Sequence, residues 1–439
     1  MSPAPLGWLG ILRLGLVQTS LGAIVVLTTA ALNRVMVVEH ALPATLPGAL
    51  VALHYAVQML RPRLGHGSDQ GGRRTPWIIG GMAVLAIGGV LAAAATAWMG
   101  TALVPGIALA VIAFLLVGLG VGAAGTSLLV LLAARVAPER KPAAASIVWI
   151  MMIAGFVVTT AITGRLLDPY SPERLVAVTA AVGAIAFVVS ILAVAGIEGR
   201  SAARQADRTP PTAFAVALRE VWAEPVARHF TLFVFVSMLA YSAQDLVLEP
   251  FAGVVFGMTL GESTRLSSVQ HGGVLAGMIL IAIVGSLTKG GIRALRGWIV
   301  GGCLMAFAML VGLAFAPAGG ADFPLRGAFF ALGMANGAFA AAAIAAMMQL
   351  VNNGRQGREG VRMGMFGAAQ AIAFGLGGFL GTVVLDLGQL VTGSIAGGYS
   401  VVFLADAGLF LAAAVLALRI GQAAPSRRDS FGQAATAAS

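Results

Sequence analysis

The chain has 439 residues, of which 59% are hydrophobic and 10% are charged. A soluble domain carries about 25% charged residues, so no aqueous core hides this much apolar sequence and the bilayer is the expected solvent. The net charge of +10 invites a nucleic-acid reading that its distribution excludes, and the single cysteine, Cys303, excludes an intramolecular disulfide or a cysteine-based metal cluster.

The 58 glycines suggest close helix contact within a membrane rather than disorder. At the N-terminus Trp8 and Arg13 read as interface anchors. The first apolar run continues past Ala30 as a full span, with no signal-peptidase exit. Span one is expected at Leu14 to Val38, span two at Leu46 to Leu60 and span three at Trp77 to Trp98. Span four follows at Leu103 to Ala134, span five at Ala143 to Leu167 and span six at Leu175 to Ile197. Between spans two and three lies Gly65-x3-Asp69-x2-Gly72-Arg73-Arg74. Its glycines permit a tight turn. Asp69 is suited to accept bonds from a helix start and to pair with an arginine. Arg73 and Arg74 hold the loop on the cytoplasmic face.

From Glu198 to Pro211 the chain turns polar and basic. Phe214, Ala217, Leu218 and Val221 then recur at helical spacing opposite Arg219, Glu220 and Glu224. Thr212 to Glu224 therefore reads as an amphipathic helix on the membrane surface, the alternative being the first turns of span seven, with Pro225 marking a break. Six more spans are expected at Phe230 to Phe256, Ser268 to Leu287, Trp298 to Ala316, Pro324 to Val351, Met363 to Leu387 and Gly398 to Arg419. The reading is an all-α polytopic membrane protein of about twelve helices. It divides into a six-helix half at 1–197, a cytoplasmic linker at 198–227, a second six-helix half at 228–420 and a disordered tail at 421–439.

Charge supports this count. With both termini cytoplasmic, all but five of the 27 Lys and Arg fall on the cytoplasmic side, the exceptions being Arg34, Arg165, Arg174, Arg265 and Arg326. The basic surface therefore reports orientation and contact with anionic lipid, not nucleic acid. Gly285-Ser-Leu-Thr-Lys289-Gly-Gly-Ile-Arg293 repeats the loop without its aspartate. Gly118 and Gly122 in span four match Gly333 and Gly337 in span ten, each pair one turn apart and suited to close crossing.

Polar residues inside spans are costly and face a cavity or a partner. Asn33 and Arg34 end span one; Arg34 is either an ion-pair or substrate partner or an interface arginine reaching outward. His54 and Gln58 share a face of span two. The imidazole can ligate a metal, carry protons, or bond a neighbouring helix. Gln244, Asp245 and Glu249 lie in span seven, with the two carboxylates one turn apart. They repel unless protonated or paired, and Arg34, on the pseudo-equivalent span, is their natural partner. The alternative puts Glu249 at the outer surface. Gln370 lies in a glycine-studded span eleven, where tight packing competes with a cavity role. No catalytic residue, P-loop or ATP site, or metal-binding cluster is evident from spacing.

The Gly65–Arg74 loop resembles the loop between helices two and three of the major facilitator superfamily. LGWLGILRLGLVQTSLGAIVVLTTAALNRVMVVE, LPGALVALHYAVQMLRPRLGHGSDQGGRRTPWIIGG, YSAQDLVLEPFAGVVFGMT and GAAQAIAFGLGGFLG are similar to the PucC/LhaA, or bacteriochlorophyll-delivery, family of photosynthetic purple bacteria. The likeness covers nearly the whole chain. Gln70 stands where the wider superfamily usually has a basic residue, which weakens transfer of a transporter gating mechanism. Membership implies a major-facilitator-like fold in the inner (intracytoplasmic) membrane. It implies assembly of light-harvesting LH1 or LH2 complexes, with bacteriochlorophyll as cargo and antenna polypeptides or pigment-synthesis enzymes as partners. His54 is then the leading axial-ligand candidate, with Gln58, Asn33 and Arg34 placed to meet ring carbonyls. The alternatives are a proton-coupled transporter using Asp245, Glu249 and Arg34, and a structural antenna partner that binds no pigment.

Overall fold

A computed structural model describes residues 6–58, 73–137, 140–198, 219, 222–287, 291–352 and 359–420. The turn holding Gly65, Asp69 and Gly72, nearly all of the expected amphipathic helix, and the expected tail lie outside the described residues.

The first six helices are α1 (Trp8–Glu39), α2 (Thr45–Val57), α3 (Thr75–Met99), α4 (Leu103–Arg135), α5 (Lys141–Leu166) and α6 (Pro172–Val194). The last six are α7 (Pro225–Phe256), α8 (Leu260–Leu287), α9 (Gly291–Gly319), α10 (Leu325–Asn352), α11 (Glu359–Thr392) and α12 (Ile395–Ala417). Eleven are long and apolar enough to cross a membrane, and α2 is a shorter apolar helix. The chain is a multi-pass membrane protein of two six-helix halves.

The halves repeat one packing scheme. In the first, α1 packs on α5 and α6, α3 on α4 and α6, and α2 on α4; in the second, α7 packs on α11 and α12, α9 on α10 and α12, and α8 on α10. The halves meet through α2 against α11 and α5 against α8, which are also pseudo-equivalent contacts. Glycine makes the α8–α10 crossing possible. A Cβ at Gly333 would lie 2.0 Å from the Gln270 carbonyl oxygen, and one at Gly337 2.0 Å from that of Val274. Gly118 does the same against α2, where a Cβ would lie 2.5 Å from the His54 carbonyl oxygen.

Two helices are irregular where the halves meet. α1 passes through π-helical turns at Leu27–Ala31 and Val35–Glu39, leaving Asn33 and Arg34 on the short α-helical piece between them. Such widened turns re-aim side chains. α7 is broken into Pro225–Asp245 and Leu248–Phe256. Pro250 has no N–H for the Leu246 carbonyl four residues earlier, so that carbonyl is left free.

α8 begins at Leu260, two turns before the expected Ser268. Its start carries a capping box: the Thr259 N–H donates to Glu262 Oε2 at 2.9 Å and the Glu262 N–H to Thr259 Oγ1 at 3.2 Å. The extra turns are polar because they surround Glu249.

Candidate functional site

The polar residues gather at three levels. The first is the end of the bundle that holds the α1–α2, α5–α6 and α7–α8 connections. Here Asn33 Nδ2 donates to the freed Leu246 carbonyl at 2.6 Å. Arg34 is 2% exposed. It pairs with Glu39 of its own helix and donates to the Met258 carbonyl at 2.7 Å, beyond the left-handed Gly257 that ends α7. Glu249 accepts from Thr264 Oγ1 at 2.6 Å, Ser267 Oγ at 3.0 Å and Ser263 Oγ at 3.4 Å. Two further carboxylates join the halves. Asp168, in the α5–α6 connection, accepts from Thr259 Oγ1 and the Gly261 N–H, both at 2.8 Å. Asp386 of α11 accepts from the N–H groups of Ala44 and Thr45, at 3.1 and 2.8 Å, and from the Thr45 hydroxyl.

The second level lies inside the bundle. His54 is 2% exposed and its Nε2 lies 2.8 Å from Gln58 Nε2. Its neighbour Tyr55 packs on Phe374 of α11 with ring centroids 5.8 Å apart, and Tyr241 of α7 meets the same ring at 5.8 Å. Gln370 and Phe374 lie opposite the exposed stripe Ile372, Leu376 and Leu380, and so face inward. Tyr55, Tyr241, Asp245, Gln370 and Phe374 each keep some accessible surface. Gln244 is wholly buried.

The third level is the basic end. Arg73 is exposed there. Glu198 accepts from the Arg74 N–H at 2.6 Å, the Thr75 N–H at 2.8 Å and Thr75 Oγ1 at 2.7 Å, and so caps α3. Burial pushes the Glu198 carboxyl up, but these three bonds outweigh it and hold it below its ordinary value. A shallow apolar groove of about 380 Å³ runs beside this end between α3 and α4, lined by Trp77, Gly80, Gly81, Val84 and Leu119 among others.

Comparison with known proteins settles the family. The family model described as PUCC protein matches residues 31–424. The chain belongs to the PUCC family. Its relatives include the "Bacteriochlorophyll synthase 44.5 kDa chain" of Rhodobacter capsulatus, 52% identical over 415 residues, covering 94% of this chain and 95% of that protein. "Protein PucC" of Rhodobacter capsulatus is 29% identical over 435 residues, covering 93% of this chain and 91% of that one. Among solved structures, a bacterial homologue of the human lysosomal transporter Spinster, inward-facing and occupied, superposes with a TM-score of 0.70 at 15% identity, covering 95% and 98% of the two chains. The nucleoside transporter NupG superposes at 0.67 and 15% identity, covering 94% and 100%. These two likenesses show the fold, that of the major facilitator transporters.

Within this PUCC-family chain, two expected pairings are corrected. Arg34 makes its salt bridge with Glu39 rather than with Asp245 or Glu249, although Glu249 lies near enough to Arg34 for their charges to attract. The break in α7 turns those carboxylates apart, sending Glu249 to the hydroxyls of α8. Nor does Arg34 reach out to the interface or Glu249 lie at the surface, because both are 2% exposed. An open axial-ligand position at His54 also does not fit this geometry, since its Nε2 is turned to Gln58 and the ring is sealed by packing. Motif reading passes over Asn336, Asp386 and Asp406. Each is a polar residue inside an apolar span, which is the signal that would have found it.

Proposed function

We propose that this chain is an assembly factor for photosynthetic light-harvesting complexes. It binds or delivers bacteriochlorophyll, or chaperones antenna polypeptides, in the inner membrane with both termini cytoplasmic. The observation that carries this reading is the 52% identity, over 94% of the chain, to a protein named for bacteriochlorophyll synthase. The role is binding rather than catalysis: the relevant groups at the α2–α7–α11 junction are aromatic and amide side chains with one carboxyl, that of Asp245. A large apolar macrocycle suits a site of that character, with a few convergent polar groups. Asn33, Arg34 and Glu249 are engaged with protein partners, so cargo contact falls to Tyr55, Tyr241, Asp245, Gln370 and Phe374. His54, Gln58 and Gln244 stand behind this surface. Antenna polypeptides, and pigment-synthesis enzymes with them, are the proposed partners, and the basic end meets anionic lipid.

The test is the absorption spectrum of the protein purified in mild detergent from a pigment-making host. A bacteriochlorophyll band near stoichiometric amount, lost in Tyr55→Ala/Phe374→Ala and kept in His54→Ala, supports delivery through this junction. A band lost in His54→Ala alone restores the histidine as ligand. No band in any form leaves chaperoning of the polypeptides, or proton-coupled transport. The second of these is favoured by the transporter fold and by carboxyls inside the spans.

A further inference from the structure

Three polar side chains share one layer of the second half. Aromatic contacts fix the level. Tyr241 of α7 lies 6.5 Å from Phe339 of α10, which lies 5.6 Å from Phe410 of α12. On the other side, Phe251 of α7 lies 5.2 Å from Tyr399 and 4.9 Å from Phe403 of α12. Rising along α7 therefore matches falling along α12, so the two helices run antiparallel. Asp245 follows Tyr241 by four residues, Asn336 precedes Phe339 by three and Asp406 precedes Phe410 by four. At about 1.5 Å per residue, all three stand about one turn from the first aromatic layer, on the side of the second.

Asn336 is 0% and Asp406 2% exposed, and neither the amide nor either carboxyl oxygen of Asp406 has a hydrogen-bond partner. Asp406 lies close enough to Asp245 for their charges to interact. Among the described residues, the titratable groups around the pair are Tyr241 on α7, beside Asp245, and Tyr55 on α2, beside Tyr241; Asp386 on α11 neighbours Tyr399 on α12. Asp386 is already bonded to Ala44 and Thr45. Among the described residues no Lys, Arg or His is bonded to either Asp245 or Asp406. Two interacting carboxylates cannot both be charged in a low-dielectric layer without a positive charge beside them.

We propose that Asp245, Asn336 and Asp406 form a binding site for one monovalent cation, a proton or an alkali ion. The carboxyl oxygens of the two aspartates and the amide oxygen of Asn336 supply hard oxygen donors. Asp245 is common to this site and to the proposed cargo surface, whereas Asn336 and Asp406 belong to this site alone.

The test uses the full chain in lipid nanodiscs. Its unfolding temperature is followed by tryptophan fluorescence in sodium chloride and in choline chloride at fixed ionic strength, between mildly acidic and mildly alkaline pH. Infrared difference spectra record the carbonyl stretch of protonated carboxyls. An alkali-ion site gives a rise of about 3 °C with sodium that is lost in Asp406→Asn and Asn336→Leu. A proton site gives no sodium effect and a protonated-carboxyl band that disappears in Asp406→Asn. Asp245→Asn serves as a second probe if Asp406→Asn does not fold. Sodium responses and carboxyl bands identical in wild type and variants overturn the proposal.

Discussion

Asp245 and Glu249 stand one turn apart in the sequence of α7, yet their surroundings differ completely. Glu249 receives three hydroxyls from the first turns of α8, beside Arg34, Glu39 and the carbonyl of Met258. Asp245 shares its level with Asp406 and Asn336, whose polar atoms are unbonded. The first region holds the halves together, because each of its charged groups has bonded partners, with the Arg34 Nε atom left without one. The second is left with charge to be balanced from outside. Burial alone does not distinguish a structural carboxylate from a binding one; the count of donors does.

Arg34→Ala tests the first region most strongly. It leaves Glu39 unpaired and the end of α7 uncapped, and it should cost about 3 kcal/mol, read from denaturant or thermal unfolding in detergent. No loss would mean that the junction is held by packing alone. Asp386→Ala removes three bonds to the start of α2 and should cost about 2 kcal/mol. A cysteine pair across α2 and α11, in a Cys303→Ser background, should then crosslink more slowly than with Asp386 intact. Asp406→Leu should go the other way, leaving stability unchanged or raised by about 1 kcal/mol, since an apolar residue replaces an unsatisfied one. A loss as large as that of Arg34→Ala would erase the contrast between the two regions.

The smallest effect is at Glu198, at the basic end. Its carboxyl is held below the ordinary value of 4.5, so the folded state favours the charged form. Its contribution is present above pH 4.5 and is lost as pH falls through the lower folded value. Glu198→Gln should therefore lower stability by about 1 kcal/mol at neutral pH and flatten the acid limb of the unfolding profile. An unchanged acid limb would show that the cap on α3 carries no charge-dependent stability.

Much of the architecture is legible in the residues alone. Apolar runs of span length and the alternation of basic loops determine the number of helices and the pairing of two halves, because the bilayer leaves a backbone few other solutions. Gly333 and Gly337 mark a close crossing in the sequence itself, and at that crossing no other residue fits. Partner choice is different. Pro250 frees a carbonyl wherever its helix packs, but only the fold brings Asn33 to it. Spacing puts Asp245 and Glu249 on one face, and only the break in α7 turns them apart. Arg34 finds Glu39 because π-helical turns re-aim the end of α1. His54 is an ordinary-looking ligand in sequence, and packing turns it to Gln58. Hydrophobic period is local and survives in the string of letters. Which donor meets which acceptor depends on contacts between residues hundreds of positions apart, and those exist only after the helices have packed.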